Sequence, residues 1–188
     1  MANKNVNYVK SVVIIAIGAA LYGFGGLLSI PVFTNTYLKP AMAILALFAA
    51  LWGPIVGALV GFIGHCITDL VYGQIWFSWA LGSAIVGILM GLYPKFTGRS
   101  LEKGVFGGKQ VGIFTLLALV SNFIGYGVSV VFDVIAYGEP FLKSLTQQQI
   151  TTISNTVVIG VIGSALMLLV AKKFASSVSL TEDTAYKN

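Results

Sequence analysis

Long hydrophobic runs without a charged side chain dominate the chain. Five such runs occur, each of 23 to 29 residues, and each exceeds the roughly 20 residues that a membrane-spanning helix needs. A closed β-barrel would instead show polarity that alternates within segments of about ten residues. Since the runs are continuously apolar, they predict membrane-spanning helices. They cover residues 11–38, 40–68, 70–94, 110–132 and 144–171.

The second run is too long for one span. Residues 40–71 would extend about 48 Å as a single helix, whereas the hydrocarbon core is only ~30 Å thick. Trp52-Gly53-Pro54 lies within the run, and proline disfavours helix before it, so we expect the chain to turn there and again at Tyr72-Gly73-Gln74. The second helix is then short for a full span. The predicted helices are 11–30, 41–52, 54–71, 75–93, 110–133 and 148–171, in one membrane domain, 1–188, with a polar tail at 176–188.

Composition supports a membrane protein. Hydrophobic residues make up 57% of the chain and charged residues 9%, against about 25% charged in ordinary soluble domains. Nucleic-acid binding, a disulfide scaffold and intrinsic disorder are excluded as classes. Lys and Arg accumulate on the cytoplasmic side, and a six-helix arrangement with both termini inside places nine of the eleven there. A five-helix arrangement with the N-terminus outside places eight Lys and Arg residues inside and three outside, so the charge count barely separates the two arrangements. The length of the second run therefore decides for an all-α bundle of six transmembrane helices with cytoplasmic termini.

Ionisable residues at membrane depth are costly and each suggests a function. His65 and Asp69 lie four residues apart on the third helix, in its outer half, where the carboxylate could orient the imidazole. The pair is compatible with a structural hydrogen bond between helices, with a ligand contact or with a proton relay. One histidine and one carboxylate are too few ligands for zinc.

Polar residues of the other helices also fall in the outer half of the bundle. Asn122, Tyr126, Ser129 and Asp133 are spaced four, three and four apart, so they share one stripe of the fifth helix. The inner half is almost purely apolar, whereas a channel or proton wire needs polar groups on both sides of the midplane. The pattern therefore predicts a one-sided cup for a small hydrogen-bonding heterocycle. Its candidate lining residues are Lys39, His65, Asp69, Trp76, Trp79, Asn122, Tyr126, Asp133 and Asn155.

Some of these residues have a plainer alternative role. Trp76 and Trp79 are equally suited to anchoring at the membrane interface, and Asn155 to a hydrogen bond between helices. Tryptophan rings in the cup would stack on a ligand ring, Asn122 and Asn155 would supply donors and acceptors, and Asp133 would accept a hydrogen bond.

Small residues recur at a spacing of four, which lets helix backbones approach closely in lipid. Gly53, Gly57 and Gly61 share one face of the third helix, and internal packing is the favoured role for that stripe. For Ala16 and Ala20 on the first helix, internal packing and docking to another membrane protein are equally compatible with the sequence.

Motifs for catalysis are missing from the sequence. It contains no G-x-x-x-x-G-K-[ST], G-x-S-x-G or H-E-x-x-H segment. We therefore expect no enzyme activity and no resident cofactor. Energy for uphill transport would have to come from a partner.

The combined pattern resembles the substrate-binding S component of energy-coupling factor (ECF) vitamin transporters. The resemblance covers nearly the whole chain and points to a small subfamily whose members are variously assigned riboflavin or hydroxymethylpyrimidine as substrate. The segments that carry it are Ala16-Ile-Gly-Ala-Ala20, Lys39-Pro-Ala-Met-Ala-Ile-Leu-Ala-Leu-Phe-Ala-Ala50, Gly53-Pro-Ile-Val-Gly57, Gly64-His65-Cys-Ile-Thr-Asp69 and Trp76-Phe-Ser-Trp79.

The resemblance implies a high-affinity binding subunit in the bacterial plasma membrane. Its implied partners are a transmembrane coupling subunit (EcfT type), which Ala16 and Ala20 would contact, and two ATPases that hydrolyse ATP. The first outer loop, here residues 34–39, would act as a lid. We expect hydroxymethylpyrimidine or a pyridoxine-like ring as substrate, with riboflavin as the main rival. A stand-alone carrier, a membrane enzyme using His65 and Asp69, and a structural membrane subunit are the alternatives of other classes.

Overall fold

The computed structural model describes residues 4–34 and 36–185, so Asn35 of the expected lid and residues 186–188 of the predicted tail lie outside the described residues. The described chain consists of helices joined by short loops, with one hairpin formed by β1 (Ile30–Phe33) and β2 (Thr36–Leu38). A 3-10 helix (Ser100–Lys103) follows α5, and a π-helical turn (Ile159–Gly163) joins α7 to α8. The α-helices are α1 Lys4–Gly25, α2 Met42–Trp52, α3 Pro54–Val71, α4 Phe77–Met90, α5 Tyr93–Thr97, α6 Gly108–Tyr137, α7 Phe141–Val158 and α8 Ser164–Ala185.

Five helical segments of the described chain are long and apolar enough to cross a membrane. The sixth apolar helix, α2, has 11 residues and is about 16 Å long, so it cannot cross alone. It is hydrophobic all round and mostly buried, with Trp52 exposed at its C-terminal end, as expected of a helix near the centre of a bundle. The five segments are Tyr8–Gly25, Pro54–Val71, Phe77–Thr97, Gly108–Tyr137 and Phe141–Ser177.

The ends of the first helix differ from the expected 11–30. α1 ends at Gly25, where two consecutive glycines weaken the helix, and the following β-branched residues and Pro31 favour extended structure. In the hairpin, Ile30 pairs with Leu38 and Pro31 with Tyr37. β1 is exposed along its whole length, whereas β2 faces α7.

The last predicted helix, 148–171, corresponds to α7, the π-helical turn and α8, and it is longer than expected at both ends. α7 begins at Phe141 rather than at 148, and α8 continues to Ala185, through most of the predicted tail. The first turns of α7 contain polar side chains that are buried in the bundle, namely Ser144, Gln147 and Gln148. Because these residues are hydrophilic, a hydropathy pattern does not predict that the membrane helix begins there. The tail continues as helix because residues 172–185 contain no glycine or proline to end it.

α3 packs on α4 with the two backbones in contact. A Cβ atom on Gly57 would overlap the carbonyl oxygen of Gly87, and one on Gly61 would overlap the carbonyl oxygen of Ser83. Gly91 is equally close to the backbone of Pro54. Internal packing, the role favoured for the glycine stripe, is therefore confirmed for α3 and α4.

We expect Gly87→Ala to destabilise the protein, because the added methyl group has no space between α3 and α4. Overpacking of this kind costs about 1–3 kcal/mol. Gly112→Ala is the matched control, since nothing lies within 4 Å of a Cβ at that helical position. Thermal unfolding of both variants in detergent checks the prediction, which fails if the two midpoints agree.

Candidate binding cavity

A cavity of about 470 Å³ opens at the end of the bundle that carries the hairpin. Its walls come from α3, α4, α6 and α7, and β2 and the loop after it cover one side. It lies above the N-terminal end of α2, because the Met42 sulfur lies 3.3 Å from the Tyr22 hydroxyl and 3.9 Å from that of Tyr126 at the cavity floor. The short α2 therefore leaves this space open.

The structure brings eight of the nine candidate residues to this one cavity. The exception is Asn122, which does not line it and lies one layer deeper. Asn155 donates to the Asn122 side-chain oxygen at 2.9 Å, and Asn122 donates to the Ala118 carbonyl at 2.8 Å. Asn122 thus supports Asn155 from behind. The eight lining residues are Lys39, His65, Asp69, Trp76, Trp79, Tyr126, Asp133 and Asn155.

Aromatic rings form one wall of the cavity. The rings of Trp79 and Tyr126 pack with their centroids 5.2 Å apart, and Trp76 meets Tyr137 edge to face at 5.3 Å. At the mouth, Tyr37 of β2 stacks on Tyr72 with a centroid separation of 6.0 Å. These rings present flat apolar surfaces that suit a heterocycle.

Asp133 is buried and is held by two side chains of α4. The Ser78 hydroxyl donates to Asp133 Oδ1, and the Trp79 indole N–H donates to Oδ2 at 2.8 Å. Each carboxylate oxygen can still accept a further hydrogen bond. The arrangement fixes the Trp79 ring in the aromatic wall and keeps an acceptor at the cavity surface.

His65 and Asp69 lie side by side on the α3 wall. His65 Nε2 is 3.6 Å from Asp69 Oδ1, and Asp69 Oδ2 accepts the backbone N–H of Trp76 at 2.9 Å. On its other side His65 contacts Ser83. Among the described residues no three His, Cys, Asp or Glu side chains are grouped to hold a metal ion.

Charged side chains concentrate at the mouth. Lys143 donates to Glu139 at 2.6 Å, four residues earlier. Lys39 lies in the loop after β2, where burial lowers the pKa of its ammonium group and the nearby Asp69 carboxylate opposes that shift. Both signs of charge are present, which suits a neutral or weakly charged ligand.

Several lining residues were not predicted as candidates. Gln147 and Thr151 belong to the polar face of α7, and a search for polar residues at helical spacing upstream of Asn155 would have found them. Tyr37, Tyr72 and Gln74 lie in the hairpin and a turn, where no periodicity marks them. The cavity residues outside the candidate set are Thr36, Tyr37, Tyr72, Gln74, Glu139, Lys143, Gln147 and Thr151.

Ala16 and Ala20 of the long helix α1 do not line the cavity. Ala16 is exposed and Ala20 half-buried, next to the exposed side chains of Val13 and Ile17. The opposite face of α1 packs on α3, where Gly23 approaches Ile67 and the Gly64 carbonyl. The internal contact therefore uses other small residues.

A helical protein with five segments long enough to cross a membrane and a polar cavity at one end of the bundle offers a binding site for a small molecule. A family model described as the ECF-type riboflavin transporter S component matches residues 6–172. The chain belongs to this family. It is therefore a vitamin-type substrate-binding subunit of a transporter, not an enzyme.

Relatives with nearly full coverage support the assignment. A UPF0397 protein of Aliivibrio salmonicida is 54% identical over 176 residues, which cover 92% of this chain and 96% of the relative. UPF0397 proteins of Vibrio atlanticus and Photobacterium profundum are 53% and 51% identical over the same length, and those alignments cover 97% and 96% of the relatives. Each alignment covers 92% of this chain.

One hydrogen bond joins the hairpin to α7, from Gln147 Nε2 to the Thr34 carbonyl at 2.8 Å. We expect Gln147→Ala to release the hairpin and to speed hydrogen exchange across 30–38 by about tenfold, the equivalent of about 1.4 kcal/mol. Gln149→Ala is the control, because that side chain is exposed and donates to Gln148 rather than to the hairpin residues that the structure describes. Equal exchange in both variants would contradict the anchoring role.

Proposed function

We propose that the protein is the high-affinity substrate-binding subunit of an ATP-driven ECF importer, and that its substrate is a vitamin precursor with one pyrimidine or pyridine ring. Hydroxymethylpyrimidine is the first candidate and a pyridoxine-like ring the second. The main support for this proposal is the chemistry of the cavity. Every lining residue in the described chain has a hydrogen-bonding group, and none is aliphatic. A small ring with polar substituents can satisfy such a surface on all its edges.

Binding would combine stacking with hydrogen bonds in defined directions. Trp79 and Tyr126 offer ring faces, and Asp133 offers an acceptor whose position is fixed from behind by Ser78. Asn155 is oriented by Asn122. The groups are held by the protein before the ligand arrives, which reduces the entropy cost of binding and favours high affinity.

Riboflavin is the main rival substrate. The description of the matching family names it, and a volume of about 470 Å³ exceeds what one small ring fills. The dimethylbenzene end of the flavin argues against riboflavin, because it needs an apolar part of the cavity. The described lining offers only tyrosine and tryptophan rings as apolar surface.

The exposed Ala16/Ala20 face of α1 is the proposed contact with the coupling subunit (EcfT type). Two ATPase subunits, the partners that the family resemblance implies, are the proposed source of energy, and the sequence itself contains no nucleotide-binding loop. In this arrangement the cavity opens to the outside of the bacterial plasma membrane, both termini are cytoplasmic, and the hairpin with the loop to Lys39 is the lid.

Small molecules retained by the purified protein identify the substrate. We expect mass spectrometry to detect one vitamin precursor in stoichiometric amount. Asp133→Asn should then weaken its binding by about tenfold or more without unfolding the protein, since one acceptor of a charge-assisted hydrogen bond is lost. Tryptophan fluorescence titration measures the change, because Trp76 and Trp79 line the cavity. Unchanged affinity would remove Asp133 from the site.

A larger side chain on the α1 face should disrupt assembly and spare binding. We expect Ala16→Leu to reduce copurification with the coupling subunit severalfold while the Kd for the ligand stays the same. Gly112→Leu, at an exposed position of α6 with open space around it, is the control. Normal assembly of Ala16→Leu would place the contact elsewhere.

A further inference from the structure

Ser83 holds the ring of His65 against the cavity wall. Its hydroxyl oxygen lies 2.7 Å from His65 Nδ1, 3.0 Å from the Tyr126 hydroxyl and 3.2 Å from the Tyr22 hydroxyl. A serine hydroxyl has one hydrogen to donate and accepts two hydrogen bonds, so three neighbours occupy it completely. All four side chains are buried.

The position of the histidine proton follows from these contacts. Asp69 Oδ1 faces His65 Nε2, and a lone pair on Nε2 would be repelled by the carboxylate. Nε2 therefore carries the hydrogen, and in the neutral ring Nδ1 accepts from Ser83. Ser83 in turn accepts from Tyr22 and Tyr126, whose hydroxyls prefer an oxygen to the weakly accepting sulfur of Met42.

The other side of the ring leaves a donor and an acceptor next to each other. The 3.6 Å between His65 Nε2 and Asp69 Oδ1 is too long for a hydrogen bond. Asp69 Oδ2 is already occupied by the Trp76 N–H. Both residues line the cavity, together with the Lys39 ammonium group, so within the described chain the N–H and the oxygen lack a hydrogen-bond partner.

The geometry points to one edge of the ligand: a heterocycle edge with a hydrogen-bond acceptor next to a donor, bound by His65 Nε2–H and Asp69 Oδ1. Ser83 is the positioning residue that keeps His65 a donor towards the cavity. A ring nitrogen beside an exocyclic amine provides this edge, and so does a carbonyl beside a ring N–H. The inference rests on the proposed function and specifies which part of the substrate is recognised.

The first test is ¹⁵N NMR of histidine-labelled protein, purified through a tag without histidine. The chain has a single histidine, so its two nitrogen signals are unambiguous. We expect protonated Nε2 and unprotonated Nδ1 in the wild type and a partial gain of the Nδ1-protonated tautomer in Ser83→Ala, because Asp69 alone then favours a hydrogen on Nε2. Ser129→Ala is the control, because that buried hydroxyl donates to the Ser78 carbonyl and does not contact His65. A wild-type ring protonated on Nδ1 alone, or a Ser83→Ala spectrum equal to that of the wild type, overturns the assignment.

The second test removes the donor from the ligand. Hydroxymethylpyrimidine and its analogue without the amine are titrated side by side, and riboflavin is paired with its N3-methyl derivative to test the carbonyl-type edge. We expect the wild type to prefer the intact member of the bound pair by about tenfold or more. Asp69→Asn should abolish that preference, because its amide oxygen can stay on the Trp76 N–H while the amide nitrogen replaces the acceptor.

The control for this specificity is Asp133→Asn, which should weaken both members of a pair alike and leave their ratio unchanged. A tight ligand whose affinity does not respond to loss of the donor overturns the inference and leaves the proposed function intact. A folded protein that binds neither pair, nor pyridoxine, overturns both.

Discussion

The length of α2 is the constraint on which the binding site depends. An 11-residue helix reaches only about half of the way through the hydrocarbon core. The neighbouring helices are full-length, so the space beyond the first turn of α2 must be filled by side chains, by a loop or by a ligand. Here polar side chains line it and the hairpin covers it. Below the Met42 end of the helix the core closes with apolar residues, which limits access to one side.

Close packing of α3 on α4 gives the cavity its precision. Glycines on both helices let backbone touch backbone, and this contact places Ser83 next to Gly61 and within reach of His65. Interior packing transmits small displacements rather than absorbing them. The distances between the polar groups of the cavity wall are therefore set in part by glycines that do not line the cavity.

Much of this architecture follows from the sequence. Uninterrupted apolar runs and Trp52-Gly53-Pro54 predict the helices because lipid forces backbone groups to pair within each segment. The stripe from Asn122 to Asp133 predicts the cavity face of α6, although Asn122 itself serves behind Asn155. The hairpin and the polar first turns of α7 could not be predicted from the sequence. Short strands show little periodicity, and a polar residue such as Gln147 does not mark a membrane helix in a hydropathy pattern. The role of Ser83 could not be predicted either, because it depends on contacts with three residues that are distant in sequence.

The hairpin has a consequence for how the protein exchanges its ligand. Its outer strand exposes Ile30, Val32 and Phe33 a few residues after a helix long enough to cross the bilayer. Exposed apolar side chains close to the end of a membrane-spanning helix partition into the headgroup region. A movement of the hairpin would therefore change its contact with the surrounding lipid or detergent. If the hairpin is the lid, as proposed above, ligand exchange rates depend on lipid composition as well as on the cavity. A dissociation rate measured in detergent micelles and one measured in a bilayer would then describe two different opening reactions.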